Sequence, residues 1–292
     1  MLKGIFSPIT TPFINDEIAF DKLEFNLNKW NQTQLSGYVV AGSNGEAPFL
    51  TTEEKIKLTE FVKKHSHNKT IMTGTGSDSI NETIYSTNEV ALAGADAALV
   101  ITPSFFKGKM NQSALKEYFT RVADKISIPL IIYNVPKFTG VNVEPETVVE
   151  LSNHENIIGI KHSTENIPEI TEIIYAIEPD FAVLVGTASL LYTGFSIGAK
   201  GAIVALANIA PDECVQIYNY CLNKEYEKAR DLQSSLIPLN RLVTTKFGVA
   251  GLKHAMDMLN YFGGKTRSPL QGINIKEKNE ISEMQKKYLT KN

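Results

Sequence analysis

One pattern limits what this chain can fold into: a short apolar run, a polar loop, then a longer stretch with helical periodicity, repeated along the sequence. The runs are Gly4–Phe6, Gly37–Ala41, Thr70–Thr73, Ala97–Ile101, Leu130–Tyr133, Ile157–Lys161, Ala182–Val185 and Gly201–Val204, eight in all. Each is continuously apolar rather than alternating, as expected of strands buried on both faces of a parallel sheet. Between the runs lie helical stretches. Thr51-Thr52-Glu53-Glu54 and Ser79-Ile80-Asn81-Glu82 both read as capping boxes, in which side chains satisfy the first free N–H groups of a helix. Ile56, Leu58, Phe61 and Val62 supply an apolar face after the first box. Ile84, Val90, Ala91 and Ala93 do so after the second, and Gly94 closes that helix. Pro145, Pro168 and Pro211 stand near later helix starts, where a missing N–H costs nothing.

Strands alternating with helices fit either a closed barrel or an open, doubly wound sheet. No glycine-rich dinucleotide fingerprint follows the first run, so the open sheet loses support, and the eight-fold count favours an α/β fold of the (β/α)8 barrel type. The 292 residues exceed the roughly 250 that such a barrel needs. The excess falls at the end, where strand signals stop. Residues 1–225 are read as the barrel and 226–292 as a C-terminal helical appendage. Glu225–Thr245, Phe247–Tyr261 and Lys276–Leu289 read as its helices, punctuated by Gly263-Gly264 and Ser268-Pro269.

The net charge is −3, with lysines and acids interspersed, so neither nucleic acid nor an anionic membrane surface is an expected partner. Cys214 and Cys221 sit seven apart on one helix face and read as small core residues in a reducing compartment; a metal site would need more ligands nearby. No leader pattern is visible. Ala188 to Ala210, the most apolar stretch, contains Lys200 and reads as a helix followed by a buried strand, so a cytoplasmic protein is expected.

In a barrel the chemistry sits at the C-terminal ends of the strands. Lys161 closes the sixth run, and if Ile158 and Ile160 face the outer helices it points inward above Gly159. Burial there would disfavour the charged form and leave a neutral amine as nucleophile. The same residue also fits a strand-end lysine reaching to solvent. Tyr133 ends the fifth run with the inward parity of Ile131, and its phenol is either a proton relay or a structural hydroxyl. Gly42-Ser43-Asn44-Gly45-Glu46 is either an ordinary turn or a loop whose N–H, hydroxyl and amide groups hold a carboxylate. Glu46 reads as a buried structural acid.

At these residues the chain resembles the dihydrodipicolinate synthase / N-acetylneuraminate lyase superfamily of class I aldolases. The resemblance runs nearly end to end: Ser7-Pro8-Ile9-Thr10-Thr11-Pro12-Phe13, Gly42 to Glu46, Tyr133-Asn134-Val135-Pro136, Gly159-Ile160-Lys161 and Gly201-Ala202-Ile203. It implies a homotetrameric barrel with a C-terminal helical region. It also implies Lys161 as the Schiff-base lysine, Tyr133 as proton relay with Ser43 assisting, and Ser43 and Asn44 as binders of the 2-oxo-acid carboxylate, with Gly186 and Ile203 lining the pocket. No cofactor is implied, because the covalent Schiff base on Lys161 is itself the electron sink.

Departures from the named members narrow the choice. Phe138 stands where the synthase carries an arginine, and Lys137 replaces that charge only in part. Phe105 in Thr102-Pro103-Ser104-Phe105-Phe106 lacks the hydroxyl of the synthase's second tyrosine, and Gly186-Thr187-Ala188-Ser189 lacks the acidic pair of the sialic acid lyases. Gly42 to Thr51, Gly94 to Ala98 and Phe247 to Lys253 are most similar to the 4-hydroxy-2-oxoglutarate aldolases. The resemblance therefore implies retro-aldol cleavage of a 4-hydroxy-2-oxo acid to pyruvate and an aldehyde. The alternatives are the synthase reaction of pyruvate with aspartate semialdehyde, a 2-keto-3-deoxygluconate aldolase, and a ligand-binding homologue without turnover.

Overall fold

The computed structural model describes residues 2–289. Eight strands close into a parallel barrel: β1 (Gly4–Pro8), β2 (Gly37–Val40), β3 (Thr70–Gly74), β4 (Ala97–Ile101), β5 (Leu130–Asn134), β6 (Ile157–His162), β7 (Ala182–Val185) and β8 (Gly201–Ile203). Every apolar run of the sequence is one of these strands, and β8 closes the ring by pairing Gly4 with Gly201. A small hairpin of Phe13–Ile14 and Glu17–Ile18 stands apart from the barrel sheet.

Helices separate the strands: α1 (Phe20–Trp30), α2 (Thr52–His65), α3 (Ile80–Leu92), α4 (Gln112–Ala123), α5 (Pro145–Ser152), α6 (Ile167–Ala176), α7 (Leu191–Ser196) and α8 (Pro211–Leu222). The strands' side chains divide between two cores. Phe6, Val39, Met72, Leu99, Ile131, Tyr133, Leu184 and Ile203 fill the barrel, while Ile5, Tyr38, Val40, Ile132, Ile160 and Val183 face the helices. Burial of these groups, worth about 1.5–3 kcal/mol for each large side chain, drives closure.

One parity expectation is corrected. Ile158 packs against the barrel interior rather than the helices. The reason is a slip in β5–β6 pairing: Leu130 lies opposite Ile157, but Ile131 lies opposite Gly159. The extra residue turns Ile158 inward, and the two strands then run in step up to Tyr133 opposite Lys161.

The C-terminal helices are α9 (Tyr226–Asn240), α10 (Gly248–Met258) and α11 (Ile275–Leu289). The single helix expected over Glu225–Thr245 is α-helical only to Asn240 and continues as a π turn over Arg241–Lys246. Pro238, inside α9, removes an N–H from the helical ladder just before the change. Leu252, Met256 and Ile281 join the helix-facing core. Cys214 and Cys221 are buried, unpaired thiols in α8, and no helix among the described residues is long and apolar enough to cross a membrane.

The two helix caps differ. Thr51 accepts from the Glu54 N–H and Glu54 returns a bond to the Thr51 N–H, completing the box. Ser79 accepts from the Glu82 N–H, but the Glu82 carboxylate accepts from Thr52 Oγ1 at 2.8 Å instead of returning to its own cap. Removing a cap hydroxyl costs about 1 kcal/mol. We therefore expect Glu54→Ala, which removes the return bond to the Thr51 N–H together with the pairing to Arg267, to lower the melting temperature more than Glu82→Ala, whose carboxylate makes no return bond to its cap. Thermal denaturation of the two variants measures the difference, and equal losses would contradict the assignment.

Candidate active site

The in-step pairing of β5 and β6 sets Tyr133 beside Lys161 at the C-terminal rim of the barrel. Both are nearly inaccessible, 5% and 3% exposed. Lys161 Nζ lies over the Tyr133 ring, 4.0 Å from its centroid. On the other side the Tyr133 hydroxyl meets Ser43 Oγ at 3.2 Å. An amine, a phenol and an alcohol from three elements thus form one continuous contact.

Ser43 owes its place to a loop of unusual backbone. After β2, Ser43–Gly45 makes a 3-10 turn, and its first N–H groups have no acceptor inside the turn. Gly45 packs so closely that a Cβ there would lie 3.1 Å from the Ile9 oxygen, and Thr11 Oγ1 donates to the Gly45 oxygen at 2.7 Å. Glu46 then takes a left-handed conformation, with φ 62°, rare for a residue other than glycine. Its carboxylate is buried against the ammonium of Lys253, as the reading of Glu46 as a structural acid requires. Burial lowers the pKa of that ammonium, and Glu46 opposes the shift.

Asn44 is half-buried beside Ser43. Ile203 is fully buried within the barrel, in the same cluster as Tyr133 and Leu184. Gly186 follows β7, where a Cβ would fall 1.8 Å from Ser163 Oγ. Ser163 went unnoticed in the sequence. It lies two residues beyond Lys161 and carries a buried hydroxyl with no hydrogen-bond partner among the described residues. A serine in a polar loop gives no sequence signal; only its contact with Gly186 reveals it.

A cavity of about 520 Å³ opens on Ser43 and Tyr133 and is bounded by Phe138, Thr139, Ser104 and Leu99. It continues to Lys55, Asp78 and Glu82. Burial lowers the Lys55 pKa, and Glu82 opposes the shift. Lys161, Asn44, Gly186 and Ile203 lie outside its lining residues. Phe138, Phe105 and Phe106 are exposed by 66%, 79% and 69% around the rim. Among the described residues no group of three acidic, histidine or cysteine side chains could hold a metal ion.

On the outer side of the same strands, Asn134 lies opposite His162. Asn134 Nδ2 is 3.2 Å from His162 Nδ1, while Asn134 Oδ1 accepts from the Val143 N–H. That bond orients the amide so that Nδ2 donates, leaving the imidazole proton on Nε2, 3.4 Å from Glu169 Oε2. Burial pushes the His162 pKa down from 6.5 to about 4. The unfolded chain therefore takes up this proton first as pH falls, and the stability contributed by the neutral imidazole, complete above 6.5, is lost on descending through about 4. A folded His162→Gln variant should show a flatter dependence of melting temperature on pH across that window. An unchanged slope would place the titration elsewhere.

Comparison with known proteins agrees with this geometry. The model of the dihydrodipicolinate synthetase family matches residues 1–288. The 4-hydroxy-tetrahydrodipicolinate synthase of Methanocaldococcus jannaschii is 36% identical over 99% of this chain and 96% of its own length. That of Archaeoglobus fulgidus is 33% identical over 98% of each. Among solved structures, the dihydrodipicolinate synthase of Aquifex aeolicus superposes with a TM-score of 0.94 at 31% identity, covering 99% of this chain and 98% of that one. Fold, length and sequence identity converge: this chain is an enzyme of the dihydrodipicolinate synthetase family.

Proposed function

We propose that the chain is a Schiff-base carbon–carbon lyase that carries pyruvate as an enamine on Lys161. The observation that carries this reading is the contact of the Lys161 amine with the Tyr133 ring, whose hydroxyl in turn meets Ser43. Placing a nucleophile and a proton carrier side by side in a nearly water-free rim supplies proximity and acid–base help together.

In the cleavage direction the amine adds to C2 of a 4-hydroxy-2-oxo acid and water leaves, giving an iminium ion. Tyr133, assisted by Ser43, takes the C4 hydroxyl proton. The electron pair of the C3–C4 bond then moves into the iminium, leaving an enamine and a free aldehyde. Protonation at C3 and hydrolysis release pyruvate and restore the amine. Ser43 and Asn44 hold the substrate carboxylate, Ser163 adds a hydroxyl near the amine, and Gly186 and Ile203 shape the wall. Protons move between side chains, and Lys161 supplies the electron sink, so no further cofactor enters the scheme.

Two electrophiles compete for the enamine. The relatives described above are named as 4-hydroxy-tetrahydrodipicolinate synthases, which favours condensation of pyruvate with aspartate semialdehyde. That was the second of the sequence expectations. Phe138 on the cavity wall favours the first, cleavage of 4-hydroxy-2-oxoglutarate or a similar acid, because a phenyl ring offers no charge to a semialdehyde carboxylate. Lys107 packs its side chain against Gly140, at the end of this loop. The exposed Phe105 and Phe106 are consistent with a rim covered by another copy in the expected homotetramer, and a cytoplasmic location belongs to the same reading.

Treating the protein with borohydride and pyruvate should add one reduced pyruvyl group, located on Lys161 by mass spectrometry; label on another lysine, or none, defeats the proposal. Tyr133→Phe should keep the label and lower kcat by about 10²- to 10⁴-fold. Turnover of 4-hydroxy-2-oxoglutarate measured beside pyruvate plus aspartate semialdehyde separates the two reactions, and pyruvate labelling with neither turnover would support a ligand-binding homologue.

A further inference from the structure

The loop that carries Ser43 and Asn44 is held from the C-terminal region by a buried ion pair. Lys253, in the middle of α10, is 1% exposed. Its Nζ lies 2.5 Å from Glu46 Oε1 and donates to the backbone oxygens of Thr11 and Lys265, both at 2.8 Å. Glu46 Oε2 accepts from the Arg267 N–H at 2.8 Å. The Arg267 guanidinium then grips the far end of the same segment. It meets both oxygens of Glu54 at 2.7 and 2.6 Å and donates to the Phe49 oxygen at 2.8 Å. The Phe13 ring lies between the two cations, 4.7 Å from Lys253 Nζ and 4.5 Å from the guanidinium carbon.

This arrangement reaches the chemistry through one residue. Glu46 directly follows Ser43-Asn44-Gly45, and its N–H bonds the Ser43 oxygen at 3.2 Å. Its left-handed backbone is disfavoured for a residue with a Cβ and persists only where something holds it. The Glu46 side chain is fixed at both oxygens, by Lys253 and by the Arg267 N–H. Were Glu46 to relax into an ordinary conformation, the 3-10 turn would open, and Ser43 would move off the Tyr133 hydroxyl. A buried pair is a poor source of stability in itself, because desolvation offsets the attraction, but it fixes geometry well. Thr11 belongs to the same unit: its oxygen accepts from Lys253 and its hydroxyl holds the Gly45 oxygen.

We propose that Glu46, Lys253 and Arg267 are positioning residues that hold the Ser43–Asn44 turn in its carboxylate-accepting form, making the C-terminal helices a working part of the active site. The inference rests on the Schiff-base reading of Lys161. None of the three touches the reacting atoms in this scheme; they act through the backbone of Gly42–Gly45.

The test is the pyruvate concentration dependence of borohydride labelling at Lys161, in the full-length chain, with far-UV circular dichroism as a check of folding. Lys253→Met/Glu46→Gln removes both charges and leaves no uncompensated ion. We expect half-maximal labelling to need about tenfold more pyruvate, with full labelling still reached at saturation, because the amine is intact and only its partner turn is displaced. Arg267→Ala, which leaves the buried pair in place, should shift the same curve by a smaller factor and decides the matter if the double variant does not fold. Folded variants with the wild-type curve would overturn the positioning role. Absence of label in the wild-type protein would instead defeat the Schiff-base reading, so the two failures are distinguishable.

Discussion

The arrangement of the site depends on the hydrogen-bond register between β5 and β6. Above the slip at Leu130 and Ile131, the strands run residue for residue, so that Tyr133 faces Lys161 inside the barrel and Asn134 faces His162 outside it. Because side chains alternate along a strand, moving β6 by one residue would send the amine to the helices and the imidazole to the mouth, and moving β5 by one would send the phenol to the helices. The outer pair is therefore more than packing. The Asn134–His162 contact ties the strands together at the level where the inner pair must meet. The orientation of the Asn134 amide is fixed in turn by the backbone of Val143.

The third participant arrives by different means. Ser43 sits on a loop, and loops are less precise supports than strands. Here the loss is made good by a strained turn, a glycine packed against the backbone of Ile9, and a buried carboxylate gripped by α10. The hydroxyl contact between Ser43 and Tyr133 joins this clamped loop to the register-locked strands. Charge is used sparingly: buried ionic groups lie in the clamp, while the contact among amine, phenol and alcohol contains no carboxylate.

Much of this is legible in the amino-acid sequence. The eight apolar runs became the eight strands because each is buried on both sides, and continuous hydrophobicity reports that directly. Lys161 and Tyr133 stood out as polar residues ending such runs. What escaped was whatever depends on contacts between distant segments. The slip that turns Ile158 inward leaves no trace in a run of isoleucines. Ser163 is an ordinary serine until Gly186 makes room for it, and Lys253 looks like one more lysine on an amphipathic helix until Glu46 is found against it. The preference for 4-hydroxy-2-oxoglutarate rested on similarity over Gly42 to Thr51, Gly94 to Ala98 and Phe247 to Lys253, and the named relatives point instead toward the synthase. Phe138, Phe105 and Phe106, on which the two readings differ, are exposed side chains about which the core pattern says nothing.

The most direct measurement is a crystal structure of the protein soaked with pyruvate. The account predicts continuous density from Lys161 Nζ to C2 of the bound molecule, its carboxylate on the turn of Ser43 and Asn44, and the Tyr133 hydroxyl still within hydrogen-bond reach of Ser43. Pyruvate held elsewhere, or a carboxylate turned away from that turn with Lys161 unmodified, would contradict it.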